Sequence, residues 1–315
     1  MSSDHESNVA DLEGDPPGHA ERLAALGAAL TTLPDKPDED AESTLAALWW
    51  RAADRRLSAA RARSCALPTL DEAALQRLDR LIEQRLSGTP LAHLTGRESF
   101  CGLELITGPD ALVPRRETEL LARIGIEAAR ECMQRRGRAV VVDACTGCGN
   151  VALAVAAGVP GVRVFGADLS APSVDLARAN AKHLGLDDRV DFATGDLLAP
   201  FERLAGEIDV MVCNPPYISS AKVGDMASEI SEHEPSLAFD GGPFGVSLLM
   251  RLISEAPPFL AEHAVLVFEV GAGQGPSAVR RLQRDGRYKD ALGVADADGV
   301  VRVVRASLAP GRPAG

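Results

Sequence analysis

The four residues Asn214-Pro215-Pro216-Tyr217 close an apolar run that extends from Asp209 to Cys213. Two consecutive prolines stiffen the backbone and withdraw two N–H donors, which leaves the Pro215 carbonyl to accept from a ligand. The Asn214 amide can donate to one atom and accept from another. Tyr217 offers a flat face for a planar group. These are the parts needed to hold an sp² –NH₂ group in plane. An amide or aniline-like nitrogen is a poor nucleophile because its lone pair is delocalised, and no side chain deprotonates it at neutral pH. A site must instead align it with an electrophilic carbon and draw on its N–H bonds with acceptors. The bland alternative, a tight turn ending a strand, tolerates many other sequences.

A second constellation is Val140-Val141-Val142-Asp143-Ala144-Cys145-Thr146-Gly147-Cys148-Gly149-Asn150. Small residues and glycines at a strand-to-helix turn admit a ligand close to the backbone, and the following helix presents free N–H groups. Thr146, Gly147 and Gly149 are the expected cradle. Asp168, with Leu169 after it, ends the next strand, where a carboxylate can take both hydroxyls of a ribose. In Thr194-Gly195-Asp196-Leu197, Asp196 can accept an exocyclic adenine amine and Leu197 can cover the ring; a helix cap is the competing use of Asp196. A nicotinamide site wants G-x-G-x-x-G to admit a pyrophosphate, and Cys145, Gly147 and Asn150 match it poorly. A cofactor with ribose and adenine but no phosphate fits better. S-adenosylmethionine is one, and its sulfonium needs no metal. Cys145 and Cys148 form a C-x-x-C, but no second ligand pair follows at zinc spacing. A redox pair suits the position; the flanking Thr146 and glycines favour the cradle.

Elements must position these groups. Short continuous apolar runs at Ala139–Val142, Val162–Phe165, Asp209–Cys213 and Ala264–Phe268 alternate with helical stretches at Val151–Ala157, Pro172–His183 and Val246–Ala256. Runs without alternation mark strands covered on both faces. The expected fold is α/β, a doubly wound, mostly parallel, Rossmann-like sheet over residues 113–308, with ligands at the carboxyl ends of its strands. Leu120–Arg136 is an expected helix before it. Upstream, Ala20–Leu33, Ala41–Arg63 and Asp71–Leu86 carry helical periodicity, with Asp71 an N-cap and Gly88 a terminator. They predict a small N-terminal helical domain over 20–88, with Trp49 and Trp50 in its core. Residues 89–112 read as a hairpin linker, and Val223 to His233 as part of a cover over the pocket. Residues 1–19 and 309–315 read as disordered tails.

The net charge is −12, but Met1 to Glu42 holds eleven acids and two bases, so the remainder is nearly neutral. No basic stripe for tracking phosphates is visible, which disfavours direct nucleic-acid binding. No apolar run approaches the ~20 residues that span a bilayer, and Met1-Ser2-Ser3-Asp4 is no secretory signal. Six cysteines are too sparse for a disulfide scaffold. Cytoplasmic residence is the expectation.

At this point the chain resembles class I methyltransferases that modify base amines or glutamine amides. Three stretches resemble the release-factor glutamine N5-methyltransferase branch in particular: Val113-Pro114-Arg115-Arg116-Glu117-Thr118-Glu119, Pro90 to Gly102 with Gly96 and Phe100, and Glu234-Pro235-Ser236-Leu237-Ala238-Phe239-Asp240-Gly241-Gly242. The likeness runs from about residue 40 to residue 307. It implies that Asn214, Pro215, Pro216 and Tyr217 hold the substrate amide. It also implies that Thr146, Gly147, Gly149, Asp168, Leu197 and Asn214 contact the cofactor, and that Phe100, Arg115 and Thr118 wall the pocket. Glu119 and Glu234 join that wall as candidate carboxylates. Cys148, Asn150, Arg116 and His93 depart from the family's usual residues.

The leading expectation is an N-methyltransferase acting on a protein glutamine in a release factor, with the helical domain docking that partner. A paralogue methylating a free amino acid is the second. Arginine is the candidate there, because its guanidinium is planar and would need a carboxylate such as Glu234, Glu119 or Glu232. A nucleic-acid base methyltransferase is the third.

Overall fold

The computed structural model describes residues 16–33, 36–221, 233–239 and 241–310. The cover expected at Val223 to His233 lies outside them except for His233, as does most of the expected acidic tail.

Helices α1 (His19–Ala29), α2 (Ala41–Ala52), α3 (Ala59–Arg63), α4 (Glu72–Leu86) and α5 (Leu91–Thr95) come first. Their local causes are ordinary. Asp40 accepts from Ser43 N at 2.8 Å and Asp71 from Ala74 N at 2.7 Å, so each caps its helix. The expected single helix from Ala41 to Arg63 is two. Asp54 takes a left-handed φ of 60°, which ends α2, and Ser58 then caps α3. The first helix also starts at His19, inside the stretch assigned to a tail, and stops at Ala29, where Leu30 turns extended. Trp49 is buried among Leu45, Leu48, Leu78 and Ile82, and its indole donates to Pro68 O at 2.8 Å.

The expected linker holds α5 and an antiparallel hairpin, β1 (Arg97–Phe100) and β2 (Leu103–Ile106). The hairpin is tied at both ends. Ser58 donates from N and Oγ to the Glu104 carboxylate at 2.6 and 2.7 Å. The buried Asn180 amide accepts from Ile106 N at 2.6 Å and donates to Ile106 O and Cys148 O, each at 3.1 Å.

Then follow α6 (Glu119–Arg136), β3 (Val140–Ala144), α7 (Asn150–Gly158), β4 (Arg163–Asp168), α8 (Ala171–Leu184), β5 (Val190–Thr194) and β6 (Ile208–Cys213). The chain closes with α9 (Ser247–Glu255), β7 (Leu260–Glu269), α10 (Gly275–Arg284), β8 (Tyr288–Ala295) and β9 (Val301–Leu308). The sheet order is β5-β4-β3-β6-β7-β9-β8, parallel from β5 to β7, with β9 antiparallel to both neighbours. Alternate residues feed two cores. Val141, Val210, Val212 and Val267 face one helix layer, while Val142, Met211, Leu266 and Phe268 face the other. Burial on both faces is why the strands read as unbroken apolar runs. Among the described residues, no helix is long and apolar enough to cross a membrane.

Chain order reverses beside β3, whose neighbours are β4 and β6. The crevice at that reversal, beyond the strands' carboxyl ends, is where open α/β sheets bind ligands.

Candidate active site

The glycine loop leaves β3 through Asp143, which is buried and accepts from Thr146 Oγ1 at 2.7 Å and Ala152 N at 3.1 Å. Burial pushes its carboxyl up to about 7, against the pull of those two bonds. One turn on, Gly147 N donates to Asp168 Oδ2 at 2.9 Å, and Ser170 N donates to Oδ1 at 2.9 Å. The loop is thus curled toward the carboxylate that ends β4. Gly149 serves a different end from the expected cradle. It has φ 85°, and a Cβ there would lie 3.0 to 3.2 Å from Phe192, Ala177 and Leu153, so it seats α7 against its neighbours. The C-x-x-C is divided between two environments: the Cys145 thiol lies against Cys213, and Cys148 Sγ is 3.9 Å from Asn150 Oδ1.

A cavity of about 510 Å³ opens at this edge. Of the residues nominated from sequence, Arg115, Thr118, Thr146, Gly147, Asp168, Leu169, Asp196, Leu197, Asn214, Pro215, Pro216 and Tyr217 line it. Gly149, Phe100, Glu119 and Glu234 do not. Phe100 is buried in the core. Glu119 accepts from Cys101 N at 2.8 Å, fastening the hairpin to α6. Glu234 lies behind the wall, accepting from Arg115 at 2.6 Å and from Val113 N at 3.1 Å. Burial pushes its carboxyl up, and Arg115 pulls it back. Asp196 is exposed and gripped by both ends of the Arg251 guanidinium at 3.1 and 3.0 Å, so its carboxylate is shared with that arginine at the cavity mouth. Cys145 and Leu197, both lining the cavity, hold left-handed φ values of 63° and 49°. Such backbone costs about 1–3 kcal/mol at a non-glycine residue and concentrates at binding sites.

Asn214 follows β6 and donates from Nδ2 to Thr118 Oγ1 at 3.2 Å. This leaves the amide oxygen as the end available to a substrate N–H. Tyr217 is held from two sides: its hydroxyl donates to Glu117 Oε1 at 3.0 Å, and Gln274 Nε2 donates to its backbone oxygen at 3.0 Å. Burial drives the Tyr217 phenol well above its ordinary value. Arg302 backs Glu117 at 3.2 Å and is itself paired with Asp296 at 3.2 Å. Behind the turn, a Cβ on Gly241 would sit 2.5 Å from the Pro216 carbonyl oxygen. Sequence reading missed Gln274, Arg302, Glu269 and the anchoring role of Glu117. Of these only Glu117 lay within a quoted motif; the others carry no local signal and are recruited by the sheet.

The methyltransferase small domain family matches residues 124–246. The release factor glutamine methyltransferase of Gloeobacter violaceus is 35% identical over 238 residues, covering 75% of this chain and 81% of that protein. The one from Moorella thermoacetica is 36% identical over 222 residues, covering 70% and 76%. The solved hMettl16 catalytic domain, in complex with MAT2A 3'UTR hairpin 6, overlays with a TM-score of 0.52 at 12% identity. It covers 77% of this chain and 84% of that one, and so shares its fold.

The residues present fit S-adenosylmethionine. Each Asp168 oxygen has one N–H partner and keeps lone pairs for ribose hydroxyls, and Leu197 supplies an apolar wall. When bound, that cofactor supplies a methyl group activated by an adjacent sulfonium. A glycine loop curled onto Asp168, a Pro-Pro turn braced on Thr118 and Glu117, and extensive similarity to the proteins above converge. This S-adenosylmethionine-dependent methyltransferase belongs to the release factor glutamine methyltransferase family.

Proposed function

We propose that the chain methylates the side-chain amide nitrogen of a glutamine presented by a protein loop, a release factor being the substrate its relatives' names suggest. The observation that carries this reading is the charge state of the pocket wall. Of the carboxylates considered for a guanidinium, Glu234 is engaged by Arg115 and Glu119 by Cys101 N and Arg123; Glu232 lies outside the described residues. Within the cavity, Glu117 is engaged by Tyr217 and Arg302, and Asp196 by Arg251. Glu269, behind Asn214, is enclosed and faces the Thr118 and Tyr217 hydroxyls rather than the cavity, so the surroundings of Asn214 suit a neutral amide. Beside the Asp196–Arg251 pair, the mouth carries two exposed apolar side chains: Leu169 and Leu237 line it at 57% and 50% exposure. Exposed apolar side chains beside a self-paired charge favour a peptide segment over a free, charged amino acid.

In this reading Asn214 and the Pro215 carbonyl accept the two N–H bonds of the glutamine amide, and Tyr217 keeps it planar. Alignment and hydrogen bonding supply the catalysis, since no base removes the proton beforehand. Incubation with methyl-labelled S-adenosylmethionine and either a release factor or a panel of free amino acids including arginine tests it. Label is expected in the release factor and lost when its acceptor glutamine is replaced by alanine. Label confined to a small molecule overturns the reading.

A further inference from the structure

Glu269 ends β7 in an unusual place for an acid. It is 1% exposed. The register pairs Cys213 with Phe268, so Glu269 lies one step on, beside Asn214 and behind the cavity wall that Thr118, Asn214 and Tyr217 form. The hydroxyls of Thr118 and Tyr217 face its carboxyl, and Oε2 has no hydrogen-bond partner among the described residues. Two charged groups face it: Glu117, from the turn before α6, and Arg302, from β9. Arg302 is already shared between Glu117 and Asp296.

We infer that Glu269 is a positioning residue that holds a proton and, in that neutral form, fixes the hydroxyls of Thr118 and Tyr217 and through Thr118 the amide of Asn214. An ionised carboxylate here would bury a second anion beside Glu117 with one oxygen bare, which is costly. Burial and the nearby Glu117 accordingly push Glu269 up to about 8. The proton also gives the network one direction. Thr118 Oγ1 accepts from Asn214, so its own hydrogen is directed to Glu269 Oε1, the oxygen that carries the proton and faces both hydroxyls, while Oε2 is left as the bare carbonyl oxygen. Tyr217 donates to Glu117, so its oxygen is the acceptor for the Glu269 proton. Loss of that proton leaves Tyr217 with two carboxylates to choose between, and Asn214 with a looser anchor. The inference rests on Asn214 meeting the methyl acceptor, and not on which acceptor it is.

Two readouts test it. In methyl transfer to a release factor, Glu269→Ala is expected to lower kcat by about thirtyfold or more with the KM for S-adenosylmethionine within about threefold. Glu269→Gln, which keeps a neutral donor and acceptor, is expected to stay within about threefold of the parent. The second readout needs no acceptor. In ¹⁵N-labelled protein, the Asn214 side-chain amide resonance, assigned by its loss in Asn214→Asp, is expected to titrate near pH 8. The same resonance is expected to stay still in Glu269→Gln. An Asn214 signal indifferent to pH, or moving equally in both proteins, overturns the inference, as does Glu269→Gln falling as far as Glu269→Ala. A release factor that accepts no methyl overturns the proposed substrate instead and leaves the resonance test standing.

Discussion

Asn214 Nδ2 donates to Thr118 Oγ1 across 3.2 Å, joining the end of β6 to a turn 96 residues earlier in the chain. In the proposed reading, this bond decides which end of the amide meets the substrate. Thr118→Val keeps the shape and removes the acceptor, so Asn214 is left to rotate. The expected result is a kcat lower by about tenfold or more, equivalent to ~1.4 kcal/mol, with cofactor affinity unchanged. Thr118→Ser should retain most activity. Equal rates for the valine and serine variants would remove the bond from its role.

Asp168 accepts Gly147 N and Ser170 N and is the carboxylate nearest the expected ribose. Asp168→Ala removes a charged acceptor worth about 1.5–3 kcal/mol. The dissociation constant for S-adenosylmethionine should rise about tenfold to a hundredfold, measured by calorimetry. Asn214→Ala, by contrast, should bind the cofactor within about tenfold of the parent and lose most turnover.

Asp143 and Glu269 are raised to about 7 and about 8 by burial. For a carboxyl raised on folding, the native state keeps its proton where the unfolded chain has lost it. Stability from these groups is therefore complete below the ordinary carboxylate range and falls as pH climbs to about 8. Denaturant unfolding should show a free energy declining over that window, by up to ~1.4 kcal/mol per unit for each group. Glu269→Gln should make the upper part of the slope shallower, the remainder coming from Glu98, which burial also raises to about 8. A curve of equal steepness in that variant would show that other groups set it.

Gly241 backs the Pro-Pro turn, where a Cβ would meet the Pro216 carbonyl at 2.5 Å and the Gly245 backbone at 2.8 Å. Gly241→Ala should cost about 1–3 kcal/mol of stability, displace Pro216 and depress kcat. Gly27 supplies the control. It lies within α1 with open space around it, so Gly27→Ala should stabilise by up to ~1 kcal/mol and leave activity alone. Melting curves and initial rates on both variants read the contrast.

Sequence alone located four of the five parallel strands as apolar runs, because burial on both faces writes them so; β5, at the sheet edge with Asp191 and Thr194 exposed, forms no such run. The four-residue turn was legible because two prolines and an aromatic leave little chemical freedom. The pair β8–β9 went unread: β8 lies at the sheet edge and is half open to solvent, and its pattern resembles loop. Glu269 also went unread, since an acid after Phe268 looks like a strand reaching water. Only the neighbouring β6 and the turn before α6 reveal that it is enclosed. Asp196 was read as a free acceptor because Arg251, its partner, comes 55 residues later. Left-handed Cys145 and Leu197 carry no compositional mark.

Asn180 grips both sides of Ile106 and the carbonyl of Cys148 with one amide. The hairpin that follows the helical domain is thereby fastened to the glycine loop after β3. The helical arm and the glycine loop therefore share one frame of reference, fixed by a single buried side chain. Asn180 acts as a ruler for reach, and grafting a foreign helical arm should preserve that reach only if the amide and its three bonds go with it.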